Sequence, residues 1–224
     1  MKRIFLYLLL FIACQQNTST NILYSSEFDD IQYFGEDSFL LEGTDIPDSL
    51  KENKYDRLPF SYKEDVREPV WDLSKNSAGL SIRFLSNSSV ITAKWELLNN
   101  FSMDHMPDTG IKGIDLYFKN NNKWQYINTG RTAGFNNEYR LVENMNNKLR
   151  EYKIFLPLYD GIKKIEIGID NSSFIQKPKK SEKKPIIFYG TSITQGASAS
   201  RPGMAHTNII SRKLDRNVIN FGFS

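Results

Sequence analysis

One cysteine, Cys14, and two histidines, His105 and His206, are all that 224 residues contain of either type. With a single thiol no internal disulfide can form, so any core has to hold by packing alone. Charge of one sign is also lacking. The net +3 falls to about +1 once Lys2 and Arg3 are set aside with the leader described below, which leaves no basic field for nucleic acid. The apolar run from Ile4 to Ala13 is too short to span a bilayer. No lysine stands between Gly190 and Ala199, which excludes a phosphate-cradling loop of the G-K-[ST] type. Between residues 27 and 170 no segment of useful length carries a helical period.

What is present begins with an export leader. Lys2 and Arg3 followed by the apolar run read as a secretory signal over residues 1–13. Its end, F-I-A-C, places small Ala13 ahead of Cys14 and resembles the lipobox of bacterial lipoproteins, with Phe11 where leucine is commoner. That resemblance implies a lipid on Cys14 and anchorage to a bacterial membrane, on its periplasmic or cell-surface side. Residues 14–26, rich in Gln, Asn, Thr and Ser, read as a flexible tether. The remainder, in a chain that is 40% hydrophobic and 25% charged, has the composition of a globular protein.

Residues 27–170 read as all-β. Leu80, Ile82 and Phe84 alternate with polar residues, as do Ile91, Ala93, Trp95 and Leu97, and Ile114, Leu116 and Phe118; each run predicts a half-buried strand. Two more strands are predicted over residues 152–158 and 162–169, joined as a hairpin through the D-G pair Asp160–Gly161. Several short strands with turns between them predict a β-sandwich. Trp71, Trp95, Trp124 and Tyr117 are candidates for stacking on sugar rings, although aromatics at strand spacing are more often core, Trp95 above all. Asp104 and Asp115 read as solvated acids without a role. Residues 171–184, with five lysines and Pro178, read as a charged linker between two domains.

Residues 185–224 change character. Ile186, Ile187, Phe188 and Tyr189 form a short β-favouring run that stops at Gly190, the pattern of a buried parallel strand meeting a functional loop. Ser192 follows directly, flanked by Thr191 and, farther on, Gly196. Ligands bind at the carboxyl ends of strands in open α/β sheets, so a serine there is placed to act as a nucleophile, with glycines allowing a carbonyl close to backbone N–H groups. A turn serine with no chemistry is the plainer alternative. A helix is predicted over residues 204–214, with His206, Ile210 and Leu214 on one face, and then a strand over residues 218–223.

The run G-T-S-I, Gly190 to Ile193, resembles the first block of the SGNH, or GDSL-type, hydrolases, with Thr191 for the usual Asp and Ser192 in the nucleophile position. The likeness continues through A-S-A-S-R-P-G-M and N-V-I-N-F-G-F-S. G-I-D-L-Y at residues 113–117, Y-D-R-L-P at 55–59 and L-P-L-Y-D-G at 156–161 resemble the β-sandwich that precedes the hydrolase domain in one group of these proteins. The resemblance implies a serine esterase acting on small acyl groups, such as acetyl on glycans, without metal or organic cofactor. It also implies that the Ser192 N–H helps hold the oxyanion and that residues 185–224 are a partial SGNH domain. The family's D-x-x-H base, second-block glycine and asparagine donor have no match here. His105 reads as a loop residue and His206 as packed against the sheet, so the 224-residue chain by itself is expected to be almost inactive. The rival expectation is a lipid-anchored glycan-binding or scaffold protein with a vestigial hydrolase segment.

Overall fold

The computed structural model describes residues 30–224; the leader, Cys14 and the tether lie outside the described residues. In chain order the elements are β1 (Ile31–Phe34), β2 (Leu40–Glu42), α1 (Glu68–Ser74), β3 (Ser81–Ser86), β4 (Ile91–Leu97), α2 (Asp108–Ile111), β5 (Ile114–Asn120) and β6 (Lys123–Gly130). They continue as β7 (Asn136–Val142), β8 (Arg150–Phe155), β9 (Ile162–Asp170), β10 (Ile175–Gln176), β11 (Ile186–Gly190), α3 (Ser192–Gln195), α4 (His206–Leu214) and β12 (Val218–Gly222).

Strands β1 to β10 form two antiparallel sheets. One has the order β1-β9-β4-β7; the other runs β10-β3-β8-β5-β6, with β2 on the same edge of β3 as β10. The inward residues of both sheets meet in one core: Ile82 and Phe84 from β3, Ala93 and Trp95 from β4, Leu116 from β5, Ile154 from β8, and Ile165 and Ile167 from β9. Burying each large side chain contributes about 1.5–3 kcal/mol, which is how this β-rich unit holds without a disulfide. Between β5 and β6 the loop residues Asn121 and Asn122 have φ of 48° and 60°. This is the two-residue turn whose twist matches that of its strands, and asparagine tolerates it better than most residues.

Three local expectations are corrected. The seven-residue helix α1, with a proline in its first turn, was not expected, because two turns are too short to display a period. The D-G pair does not close a hairpin: β8 lies in the larger sheet and β9 in the smaller one, so the turn carries the chain from layer to layer. Asp160, fully buried, accepts there from the backbone N–H groups of Asn99 (2.9 Å), Asn100 (2.7 Å) and Gly161 (2.8 Å). That carboxylate is a clamp between layers rather than a turn former.

The third correction concerns the outer face of the larger sheet. Asp115 on β5, expected to be solvated, is buried, as are its neighbours Tyr117 on β5 and Lys153 on β8, all at most 2% exposed, because the segment from β11 to β12 folds back over them. Their charges are met by ion pairs: Lys153 with Glu42 at 3.0 Å, Arg83 with Glu42 at 2.6 Å and Glu151 at 2.7 Å, and Lys119 with Asp215 at 2.6 Å. Burial lowers the pKa of Lys153, an effect Glu42 opposes. Residues 171–184 are partly stitched down as well. They contain β10, the Phe174 carbonyl accepts from Ser86 Oγ at 2.8 Å, and the Lys179 carbonyl accepts from Arg83 at 3.0 Å.

Asp160→Ala would strand three backbone donors. Stability should fall by roughly 3 kcal/mol, read as a lower urea midpoint with an unchanged slope; a loss under about 0.5 kcal/mol, the size of a neutral surface change, would contradict the clamp.

Candidate active site

Strands β11 and β12 pair in parallel, from Ile186 opposite Val218 to Gly190 opposite Gly222. Parallel neighbours need a crossover, and α4 lies in it. The expectation of a fully buried strand is corrected. Ile187 is 59% and Tyr189 87% exposed, because α4 covers only the other face, where Phe188 meets His206 edge-on at 5.6 Å. The face of α4 is corrected too: Thr207, Asn208 and Ser211 are the buried residues, whereas Leu214 is exposed. Polar partners explain the choice. Asn220 Nδ2 donates to Thr207 Oγ1 at 3.2 Å, Asn208 Nδ2 donates to the Pro202 carbonyl at 2.8 Å, and Arg212 lies 4.2 Å over the Tyr117 ring.

Ser192 is the first residue of α3, immediately past β11, and is half-exposed. Its hydroxyl makes no hydrogen bond among the described residues, and as first helical residue its N–H has no acceptor within the helix. Its carbonyl accepts from Gly196 and Ala197 at 2.9 and 2.8 Å. Of the loop residues expected beside it, Gly190 and Thr191 line a cavity of ≈ 540 Å³ that is walled on its far side by Leu58, Tyr62 and Val66. Gly196 does not reach that cavity. It is buried against Leu158 and Ala205 and ends α3 with φ +122°, a conformation that favours glycine. At Gly222 a Cβ would collide with the backbone nitrogen of Gln195, so the end of β12 lies flush against the serine's helix.

Neither histidine is hydrogen-bonded to Ser192 among the described residues: His105 is exposed in its loop, and His206 packs on Phe188. Of the four aromatics considered for sugar stacking, Trp124 lines a surface cavity with Ile209 and Arg212. Trp71, Trp95 and Tyr117 are buried, and half-buried Trp124 donates Nε1 to Asp215 at 2.8 Å. Among the described residues no three His, Cys, Asp or Glu gather to hold a metal.

A family model described as the GxDLY N-terminus of SGNH-hydrolase-type esterases matches residues 31–175, and one described as the GDSL-like lipase/acylhydrolase family matches residues 183–224. The chain belongs to the SGNH-type esterase family. A protein named as a GDSL-like lipase from Bacteroides ovatus is 39% identical to it, with a TM-score of 0.81 over 87% of this chain and 57% of its own. The chain thus spans little more than half of that neighbour's length. A salicylyl-acyltransferase from a tetracycline biosynthetic pathway (14% identity, TM-score 0.66, 87% of this chain, 55% of that one) shares the fold. So does an acetyl xylan esterase from Butyrivibrio proteoclasticus (11%, 0.50, 85% and 49%). A search of the curated proteins returns no match.

In this member of the SGNH-type esterase family the two matched regions are bound together by buried polar residues to which sequence reasoning assigned nothing. Asp115 of the G-I-D-L-Y motif is the clearest correction. Its carboxylate accepts from Arg201 Nη1 at 2.6 Å, from the Gly203 N–H at 2.8 Å and from Thr129 Oγ1 at 2.7 Å. Arg201 also donates to the Tyr117 hydroxyl at 2.7 Å, so the motif's two polar residues hold the loop between α3 and α4. Asp104, by contrast, is exposed, as expected.

Arg57, from Y-D-R-L-P, is 2% exposed. It donates to the carbonyls of Asn76 (2.8 Å), Leu73 (2.7 Å), Asn220 (3.2 Å) and Gly222 (2.7 Å), and its guanidinium lies 4.4 Å over the Phe223 ring. Burial pulls its pKa down to about 9, and at neutral pH it remains a cation. The Tyr159 hydroxyl lies 3.3 Å from the Ser192 carbonyl and 3.1 Å from that of Ser224. Gln195, fully buried, donates Nε2 to the Leu158 carbonyl at 3.1 Å and accepts from Ser224 N at 3.3 Å. No periodic signal marks these residues; for Asp115, Arg57 and Tyr159 the one available hint was their place inside the resembling motifs, and Gln195 had none.

Asp115→Ala should lower stability by about 3 kcal/mol, the cost of breaking a buried pair, and speed amide exchange at Gly203. Asp104→Ala should stay within about 0.5 kcal/mol of the parent. Equal effects of the two would refute the assignment.

Proposed function

We propose that this chain carries the nucleophile of a carboxylic-ester hydrolase, with Ser192 as that nucleophile. One observation carries the reading: Ser192 stands at the carboxyl end of a parallel strand with an uncommitted hydroxyl and an N–H that has no helical acceptor, inside the segment that matches the GDSL-like family. On this reading residues 185–224 are the start of the hydrolase's parallel α/β domain and residues 27–170 its β-sandwich partner. Ser192 Oγ attacks the ester carbonyl and forms a tetrahedral intermediate, whose oxyanion accepts from the Ser192 N–H. A general base takes the Oγ proton and returns it to the leaving alcohol as the intermediate collapses to an acyl-serine, which water then hydrolyses to the free acid and the regenerated serine. Metal or organic cofactors have no part in these steps.

A serine at its ordinary pKa needs a base, and neither His105 nor His206 is placed as one. The base and its orienting carboxylate are therefore expected outside the described residues. Small acyl esters, such as acetyl groups on glycans, are the substrate class; the fold shared with an acetyl xylan esterase makes this the first class to assay. Lipidation of Cys14 would hold the protein at a bacterial membrane, facing the periplasm or the cell surface.

Loss of a triad member or an oxyanion donor typically costs on the order of 10² to 10⁴ in rate. The 224-residue chain alone should accordingly show almost no esterase activity. The full-length protein should hydrolyse a simple acetyl ester and be labelled at Ser192 by a serine-directed phosphonate, with Ser192→Ala abolishing both. Robust turnover by the 224-residue chain, lost on His206→Ala, would overturn this assignment of roles.

The anchor is tested separately. Each buried CH₂ of an acyl chain contributes roughly 0.8 kcal/mol, so two or more chains give lasting attachment. Cys14→Ser should release the protein from the membrane fraction and block processing of the leader; unchanged fractionation and processing would refute lipidation.

A further inference from the structure

We propose that Tyr159 is a positioning residue for the Ser192 site: its hydroxyl sets the nucleophile turn against the end of β12, so the first region of the chain fixes the geometry in the second. The inference rests on the reading of Ser192 as nucleophile and names a residue which that reading does not contain.

The hydroxyl has one proton and two acceptors, the carbonyls of Ser192 at 3.3 Å and Ser224 at 3.1 Å. Those carbonyls belong to the turn that carries Ser192 and to the segment just past β12, so one hydroxyl ties the two together. The ring is 4% exposed and shares one cluster with Ala78, Met106, Ile111 and Leu158 of the first region and Ala205 of the second, so the hydroxyl is held where the two regions meet in a common core. One residue on, Asp160 clamps the same turn to Asn99 and Asn100. One residue back, the Leu158 carbonyl receives Gln195 from α3. Arg57 holds the Asn220 and Gly222 carbonyls of β12 from the same side. Burial raises the pKa of Tyr159, which keeps the hydroxyl a donor well into the alkaline range.

Tyr159→Phe removes the donor and keeps the ring. Oxyanion donors act at 2.7–3.1 Å, and a displacement of about 1 Å can cost on the order of 10²-fold. A partial relaxation in full-length Tyr159→Phe should lower kcat on 4-nitrophenyl acetate roughly tenfold with KM within about twofold. Phosphonate labelling of Ser192 should slow by the same factor. A merely structural role would lower the melting temperature and leave kcat and the labelling rate of the folded protein at parental values, and that result overturns the proposal. If Tyr159→Phe does not fold, 3,5-difluorotyrosine at 159 retains the ring and hydroxyl but ionises at lower pH. The alkaline limb of the labelling rate should then move to lower pH, and an unmoved limb overturns the proposal. Parental protein that is not labelled at Ser192 at all removes the nucleophile reading itself, a result distinct from labelling that is indifferent to Tyr159.

Discussion

A guanidinium cannot sit in a protein interior without acceptors, and the junction in this chain is arranged around meeting that requirement at Arg57. Its four carbonyl partners come from two places: Leu73 and Asn76 beside α1, and Asn220 and Gly222 on β12. Carbonyls two residues apart point to the same side of a strand, so Arg57 occupies the open edge of β12 that a further strand would otherwise take. Unpaired strand edges invite aberrant pairing. A cation bonded to that edge both satisfies it and ties the parallel pair to the antiparallel unit.

Asp115 does the corresponding work on the other flank. Its carboxylate gathers Arg201 and the Gly203 N–H, while the charges of Glu42, Arg83, Glu151 and Lys153 neutralise one another across the buried outer face of the larger sheet. Buried ion pairs of this kind contribute little net stability compared with apolar packing, since desolvation offsets most of the Coulomb gain. Their geometric demands are strict, however, and so they favour one docking of the segment from β11 to β12. For Ser192 in its proposed role as nucleophile, orientation matters more than gross adhesion.

The strand pattern was largely legible. Leu80, Ile82, Phe84, Ile91, Ala93, Trp95, Ile114 and Leu116 alternate in sequence and meet in one core, because period-two alternation reports directly on which side of a pleated strand is apolar. Strands β6 and β7 were less so, being rich in polar residues that face outward. The D-G pair misled because a hairpin signal is local, whereas Asp160 spends its oxygens on backbone some sixty residues away.

The sequence by itself determined the antiparallel β-rich character of the first region, the place of Ser192 behind a strand and, through G-I-D-L-Y and G-T-S-I, the family. All of these are written in contiguous residues, where side-chain polarity and backbone preference act within a few positions. Only the tertiary structure decided that the polar face of the larger sheet is buried, that α4 turns Thr207, Asn208 and Ser211 inward, and that Arg57 is bonded to β12, Asp115 to the loop between α3 and α4, and Tyr159 to the Ser192 carbonyl. Those outcomes depend on hydrogen bonds between residues up to 165 positions apart. A polar side chain looks the same in sequence whether its partner is water or a distant carbonyl, and folding alone brings the carbonyl.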